Sequence, residues 1–451
     1  MARLSSSDRR WLELKDGKWR VSVAVPRRLH GKLGTRLKAP LNTDSLAVAN
    51  RLKWPVVAEF KQRIAEAGGT KGKDVLTTEA LALAAYRRTV SDPSELEILS
   101  DTIAERAAQL AGPYTAVETD PNTGEPIYLH DPARERKALA YVALATGKAT
   151  PLDAHHEAYL AQQHTKARTK ADDARAIQFL QTWCERERIS PTVEAITRKE
   201  ATRFADSLAS IAGGRGAVTL NKYIGRLSRY WQWMEHREHV TTNVWHGVKI
   251  SSPPTPHDEV ERAFSNDEMQ RLLGGHTTPA MHDLMRIAAL SGARLDAIVD
   301  LKVGDCADGL FVFKPQKKEP APRAVPIHSA LTEIVRRRTE GKEAGDSLFP
   351  EWPAPRKAGS MRERSFKASN AFTAYRRTVG VDAVVAGKRR SLVNFHSFRR
   401  WFITMAERAD QPESIIAVVV GHKRTGMTLG RYSAGPLMEQ ARRCVEAVKL
   451  P

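Results

Sequence analysis

A run rich in proline, serine and charge, SSPPTPHDEVER at 251–262, interrupts this chain past its midpoint. No single helix, sheet or core continues through such a run, so it reads as a linker between separately folded parts. With 451 residues, the chain has room for a core on either side. No apolar stretch reaches the ~18 residues of a membrane span. The N-terminal MARLSSSDRRWLELKDG has no hydrophobic segment behind its basic residues, so no secretory signal is read there. Cys184, Cys306 and Cys444 lie too far apart for a disulfide framework or a zinc set. The expectation is a soluble, intracellular, multidomain protein.

Charge narrows this further. Lys and Arg number 71 against 52 Asp and Glu, a formal net charge of +19. A surplus of that size repels itself, attracts polyanions, and gains affinity by releasing their condensed counterions. Nucleic acid is the partner it favours. A solubility charge and an RNA binder are the blander readings. The surplus is uneven: residues 1–70 carry +9, 71–150 carry −3, 151–250 carry +4 and 251–451 carry +9.

Residues 1–70 read as a β-β-α unit. Arg20-Val-Ser-Val-Ala-Val alternates polar and apolar, a second run covers Thr35 to Leu41, and Asp44 can cap a helix bearing Leu52, Val56, Phe60 and Ile64. Pro55 is expected to kink or delay that helix. Lys18, Arg20, Arg27, Arg28, Lys32, Arg36 and Lys38 crowd the sheet portion. They either follow a DNA groove or are solvated charge; Arg20, Arg27, Arg28, Arg36 and Lys38 are the DNA-contact candidates. Residues 71–150 read as a helical spacer or contact module, broken by the turn-rich PNTGEPIYLHDP.

Residues 151–250 read as a helical domain, with Thr197-Arg-Lys-Glu200 as a capping box. In TLNKYIGRLSRYWQWMEH, Leu220, Ile224, Leu227, Trp231 and Met234 share one stripe. Lys222, Arg226 and Arg229 fall opposite as DNA candidates, with Tyr230 and Trp233 as core residues or base stackers. His236 and His239 could pair on a metal, but without a further ligand they read as solvated, as do the neighbouring Asp172 and Asp173. After the linker, Ser265-Asn-Asp-Glu268 is a second capping box and opens the last domain, 263–451.

Four segments of that domain carry the chemistry. LSGARLDAIVDLKVGD holds Arg294 after a Gly-containing turn. FKPQKKEPAPRAVPI holds Lys317 and Lys318 between two short strand-like stretches. NFHSFRRWFITMAE sets His396 and Arg399 at i,i+3 on one helical face. VVVGHKRTGMTLGRYSAG holds His422, read at a helix start, and Tyr432. Each fragment alone is common. In this order the set resembles the tyrosine recombinase (phage integrase) family, over roughly residues 155–451.

The family pattern is an Arg in a TGxR-like turn, a hairpin Lys, HxLR[HR], GH and a terminal Tyr. Here it is matched by SGAR at 291–294, HSFRR at 396–400 with Phe398 in the Leu place, GH at 421–422 and Tyr432 in RYS. Lys318 stands five residues before Arg323-Ala-Val-Pro326, as the family's hairpin lysine does; Lys317 is the fallback. Two departures stand out. The family commonly has a carboxylate three residues after the first Arg, where this chain has Ala297. The spacing from His422 to Tyr432 is one residue longer than the commonest form.

The resemblance implies an α+β, multidomain fold: a mainly helical catalytic domain with a small antiparallel sheet, a helical core-binding domain, and a small β-β-α N-terminal domain of the arm-binding or auxiliary kind. It implies that Tyr432 attacks a DNA phosphate to give a 3′-phosphotyrosine, storing the bond energy for resealing. Arg294 and Arg399 would clamp the nonbridging oxygens, His396 would take the phenol proton, Lys318 would protonate the leaving 5′-oxygen, and His422 would hydrogen-bond the phosphate. No cofactor and no metal are expected. The expected partners are attachment-site DNA, a homotetramer on paired sites, and accessory bending or directionality proteins. The expected setting is a bacterial or phage-encoded protein at the nucleoid in the cytoplasm. A transposon integrase or dimer resolvase shares this chemistry, and a noncatalytic DNA-binding protein on the same fold is the rival from another class. The amphipathic tail PLMEQARRCVEAVKLP docks either on a neighbouring protomer or on its own domain.

Overall fold

The computed structural model describes residues 8–68, 75–254, 256–315, 319, 321–357, 359–385, 390–422 and 433–451. Lys317, Lys318 and Tyr432 lie outside them. The chain is mostly helical with small antiparallel sheets, and it divides into two compact units, 1–252 and 253–451.

The first unit opens with three antiparallel strands, β1 (Leu12–Lys15), β2 (Lys18–Ala24) and β3 (Arg36–Thr43), in that spatial order. The sequence reading has only the last two. β1 is too short to alternate legibly, and it exists because Asp16 and Gly17, both at positive φ, close a tight hairpin. After a turn of helix, α1 (His30–Leu33), the chain runs through β3 into α2 (Leu46–Ala67). The sheet's Trp19, Val21, Val23, Leu37 and Leu41 pack on Ala49, Val57 and Phe60 of α2. Ser45 caps this helix rather than Asp44, and the helix passes unbroken through Pro55. Losing one backbone hydrogen bond there is offset by burial on both sides, because Trp54 of α2 belongs to a second core. That core is built with α3 (Val75–Arg87), α4 (Pro93–Ala111) and, after the next hairpin, α5 (Pro132–Ala145).

Between α4 and α5 stands the hairpin β4 (Tyr114–Thr119) and β5 (Pro126–His130), where the sequence shows only a turn-rich break. Helices α6 (His156–Ala161), α7 (Ala167–Glu187), α8 (Arg198–Ile211) and α9 (Ala217–Glu235) form a third core, and the α9 stripe from Leu220 to Met234 is buried as its period requires. Tyr230 is a core residue, as the commoner reading has it, and Trp233 is partly open. Two expectations change here. Thr197 hydrogen-bonds the Glu200 carboxylate and caps no backbone N–H, so the capping box does not form. Asp173 is buried rather than solvated, 3.4 Å from the Arg226 guanidinium.

The second unit contains α10 (Asn266–Gly274), α11 (Pro279–Ser291), α12 (Leu295–Val299), the hairpin β6 (Leu310–Phe313) and β7 (Arg323–Pro326), then α13 (Thr332–Thr339), α14 (Ser365–Thr378), α15 (Ser397–Arg408), α16 (Glu413–Val420) and α17 (Met438–Glu446). The capping box at Ser265 is complete in both directions. Phe398, in the place of the family's Leu, packs among Phe264, Phe372 and Phe395 in the core. The tail packs on its own unit: Cys444, Val445 and Val448 are buried in the same core, and His328 Nε2 lies 3.0 Å from the Val448 carbonyl oxygen. Cys184 and Cys444 are buried and Cys306 half-buried, and burial pushes their thiols up to about 12, 11 and 12. Among the described residues, no helix is long and apolar enough to cross a membrane.

One glycine fixes the geometry that follows. Gly292 ends α11 at φ +62°, and a Cβ there would lie 2.7 Å from the Phe402 ring and 2.9 Å from Val420. Helices α11, α15 and α16 therefore meet on a position that only glycine fits. Gly292→Ala is expected to destabilise the protein by on the order of 2–4 kcal/mol, from left-handed strain plus overpacking. A denaturant titration against the parent chain checks this.

Candidate active site

Each turn around Gly292 carries one of the singled-out residues. Arg294 is the N-cap residue of α12, two positions beyond the glycine. Arg399 lies in the first turn of α15, only 1% exposed, and its Nη1 donates to the Gly292 carbonyl oxygen at 3.0 Å. His396 is the N-cap residue of the same helix. His422 does not start a helix as expected. It follows the C-terminus of α16, where Gly421 at φ +74° turns the chain and the His422 N–H closes on the Ala417 carbonyl at 2.8 Å.

Two residues join this set without having been singled out. Arg323, the first residue of β7, is half-buried, with its guanidinium 5.0 Å from the Phe313 ring centre and Nη1 donating to the Val419 carbonyl. Glu319 pairs with Arg294, Nη1 to Oε1, at 2.9 Å. The only sequence signal for Arg323 was its place in the RAVP landmark; for Glu319 there was none. Lys318, Lys317 and Tyr432 fall on residues outside the described set.

Three guanidiniums therefore converge, and two of them are poorly satisfied. Among the described residues, Arg399 Nη2 and both Nε and Nη2 of Arg323 are buried without a hydrogen-bond partner. A buried charged donor left unmatched is strongly unfavourable, so such groups persist where something anionic completes them. Burial, then the neighbouring Arg294, pushes Arg399 down to about 9; burial first, with Arg294 adding to it, holds Arg323 at about 10. The histidines feel the same field. Desolvation of the ring, then Arg400, Arg399 and Arg294, holds His396 down to about 4, although part of its surface is open to solvent. Burial, then Arg399, Arg294 and Arg323, lowers His422. Both imidazoles are neutral at pH 7, one able to accept a proton and the other to donate a hydrogen bond. Arg400, near His396, is tied to Glu261 at 2.8 Å.

This field has a measurable sign. Below pH ~6.5 the unfolded chain protonates these histidines, while the folded one resists until the pH nears 4 for His396. Stability without an anion is therefore lost as pH falls through that window. A bound anion opposes the arginine field and raises both histidine pKa values, which couples anion binding to proton uptake. Sulfate is expected to raise the melting temperature more at pH 5.5 than at pH 7.5, and His396→Gln to shrink the difference.

The other candidates belong to the first unit. Arg20 and Lys38 both reach Glu13 across the sheet, at 2.6 and 3.1 Å, and Arg36 Nε donates to Ser22 Oγ at 2.8 Å. Arg27 and Arg28 are exposed and form no ion pair among the described residues. On α9, Lys222 and Arg229 are exposed, while Arg226 is committed to Asp173. His239 stacks on His155 at 3.9 Å, and no cluster of three or more metal-ligating side chains occurs among the described residues.

Residues 256–435 match the sequence profile of the phage integrase family. No curated protein sequence matches the chain. Among solved structures, it is similar to a lambda integrase dimer bound to a COC′ core site, at 18% identity and TM-score 0.47, covering 72% of this chain and 91% of that one. The integrase from mycobacterium phage Brujita gives 19% identity and TM-score 0.33, covering 66% and 92%. The Tn1549 transposon integrase in complex with circular intermediate DNA gives 14% and 0.43, covering 65% and 98%.

Proposed function

We propose, from the match of residues 256–435 to the phage integrase family, that this chain is a tyrosine-type site-specific recombinase that cuts and rejoins DNA through a 3′-phosphotyrosine. One observation carries the reading: among the described residues, buried guanidinium donors of Arg323 and Arg399 lack partners beside Arg294 and two neutral histidines. A phosphodiester supplies the acceptors that this pocket leaves open.

In this reading Tyr432 attacks the phosphorus and His396 takes the phenol proton, since a free phenol with pKa about 10 is mostly protonated at pH 7. Arg294, Arg399 and Arg323 bind the nonbridging oxygens as charge builds on them. Lys318 protonates the departing 5′-oxygen, with Lys317 as its substitute, and His422 hydrogen-bonds the phosphate. The 5′-hydroxyl of a partner duplex then attacks the phosphotyrosine and releases the tyrosine. These cations stabilise the phosphoryl charge themselves, so the chemistry is metal-independent. Four protomers on two attachment sites complete the exchange, moving an element such as a prophage into or out of a bacterial chromosome. Lys222 and Arg229 contact the core site, and Arg27, Arg28 and the Arg20–Arg36–Lys38 face of the sheet contact outlying DNA. Arg226 holds Asp173 as well as facing the duplex.

The test uses purified protein, supercoiled DNA spanning the flanks of its own gene, and EDTA throughout. Quenching with SDS is expected to trap protein-linked DNA, with the nucleotide mapping by mass spectrometry to Tyr432. Tight binding without any adduct turns the reading to a noncatalytic DNA-binding protein, and an adduct on another residue displaces Tyr432.

A further inference from the structure

We propose that Glu319 is the positioning residue of Arg294, and that it ties the alignment of this arginine to the segment joining β6 and β7. The inference rests on reading the pocket as a phosphate site. Arg294 starts from a rigid point, the N-cap of α12, but its long side chain has several free torsions. Fixing such a side chain loses on the order of 1.5–2 kcal/mol of rotamer entropy, borne at the moment of reaction unless something holds it beforehand.

Its own helix does not hold it. Asp296 makes no described bond to it, and three residues on stands Ala297, buried and apolar. Glu319 comes instead from 25 residues away in sequence, Oε1 accepting from Nη1 at 2.9 Å. Both side chains are mostly buried, with 23% and 13% of their surface exposed. The carboxylate is itself held from below. Gly421 presents bare backbone to it, since a Cβ there would lie 2.5 Å from Oε1 and 2.6 Å from Arg323 Nε. Glu319 thus sits between the two arginines at the turn that carries His422, and it engages Arg294 by one nitrogen. The remaining guanidinium nitrogens stay available to a forked acceptor.

The charge count agrees with a positioning role. Three guanidiniums and one carboxylate leave a net +2 in the pocket. A phosphodiester brings one negative charge, so the site stays cationic enough to hold it even with Glu319 in place. Lys318 is the residue next to Glu319 in sequence. The proposed acid and the group that aims Arg294 are therefore neighbours in the chain.

The experiment uses full-length protein and the duplex whose cleavage position the adduct assay maps. Adduct formation is timed in single turnover on the natural phosphate and on a methylphosphonate at the same position. The methylphosphonate lacks the nonbridging charge on which Arg294 acts. Glu319→Ala is expected to slow the natural substrate by roughly 10–100-fold, the usual range for a group that orients another. Glu319→Gln, which keeps an acceptor oxygen, should recover most of that rate, and the gap should close on methylphosphonate. Equal or faster cleavage of the natural substrate by Glu319→Ala would make the carboxylate a competitor of the phosphate and overturn the proposal. An equal gap on both substrates would overturn it too, by placing the effect elsewhere.

A second readout needs no cleavage. In 15N-arginine-labelled protein, the Arg294 Nη–H signal, assigned with Arg294→Lys, should be protected from water exchange and lose that protection in Glu319→Ala. Unchanged protection sinks the proposal. A wild-type protein that forms no adduct sinks the recombinase reading instead, and the exchange measurement still decides what Glu319 does.

Discussion

Tyr432→Phe binds attachment-site DNA as the parent chain does and forms no covalent adduct with it: this is the largest effect expected of any single substitution here. The change removes one oxygen atom, the atom that would bond to phosphorus. It leaves the ring and every cationic group that attracts the phosphate. Deleting the nucleophile from a covalent enzyme elsewhere lowers turnover by on the order of 10⁶, which in an adduct assay is complete loss. Gel shift and SDS-trapped adduct, measured on the same samples, separate binding from chemistry. A persistent adduct would mean that another residue attacks.

Arg399→Met is expected to move activity and stability in opposite directions. The Arg399 side chain is almost wholly buried and, among the described residues, makes one hydrogen bond, to the Gly292 carbonyl, and leaves Nη2 unmatched. The depression of its pKa to about 9 shows that the DNA-free protein resists keeping it charged. An unbranched apolar side chain fills much of the same space without a charge to bury. The variant's melting temperature in anion-free buffer should equal or exceed that of the parent. Cleavage should fall by ~10³–10⁵, the range for a guanidinium that stabilises a transferring phosphoryl group. Arg399→Lys keeps the charge but not the fork, so it should remain strongly impaired. A large drop in melting temperature with either variant would mean that the residue serves mainly to hold α11 against α15.

What could be read beforehand was mostly local. The α9 stripe, the capping box at Ser265 and the alternation in β2 each depend on residues within a turn or two, and each appears where the sequence puts it. The short, ordered motifs from 291 to 432 all lie inside the stretch that matches the phage integrase family. What escaped depends on partners far along the chain. β1 is legible only once β2 lies beside it, and Thr197 satisfies a cap pattern while its hydroxyl goes to Glu200. Asp173 reads as solvated until Arg226, 53 residues on, is folded against it. Glu319 looked like one more charge in a charged turn, and nothing nearby in sequence shows that it meets Arg294. Arg323 reads as a landmark, yet it is a third guanidinium in the pocket.

The three thiols have a practical consequence. With Cys184, Cys306 and Cys444 held near 12, 12 and 11, about one thiol in a thousand or fewer is thiolate at pH 8. Maleimide and iodoacetamide dyes react through the thiolate, so the native chain offers them a nearly blank background. A cysteine introduced on the solvent face of the β4–β5 hairpin, at Val117 for example, would then be the one fast-reacting group on the protomer. Donor and acceptor dyes placed there on separate preparations could report, by energy transfer, the moment at which two protomers come together on DNA.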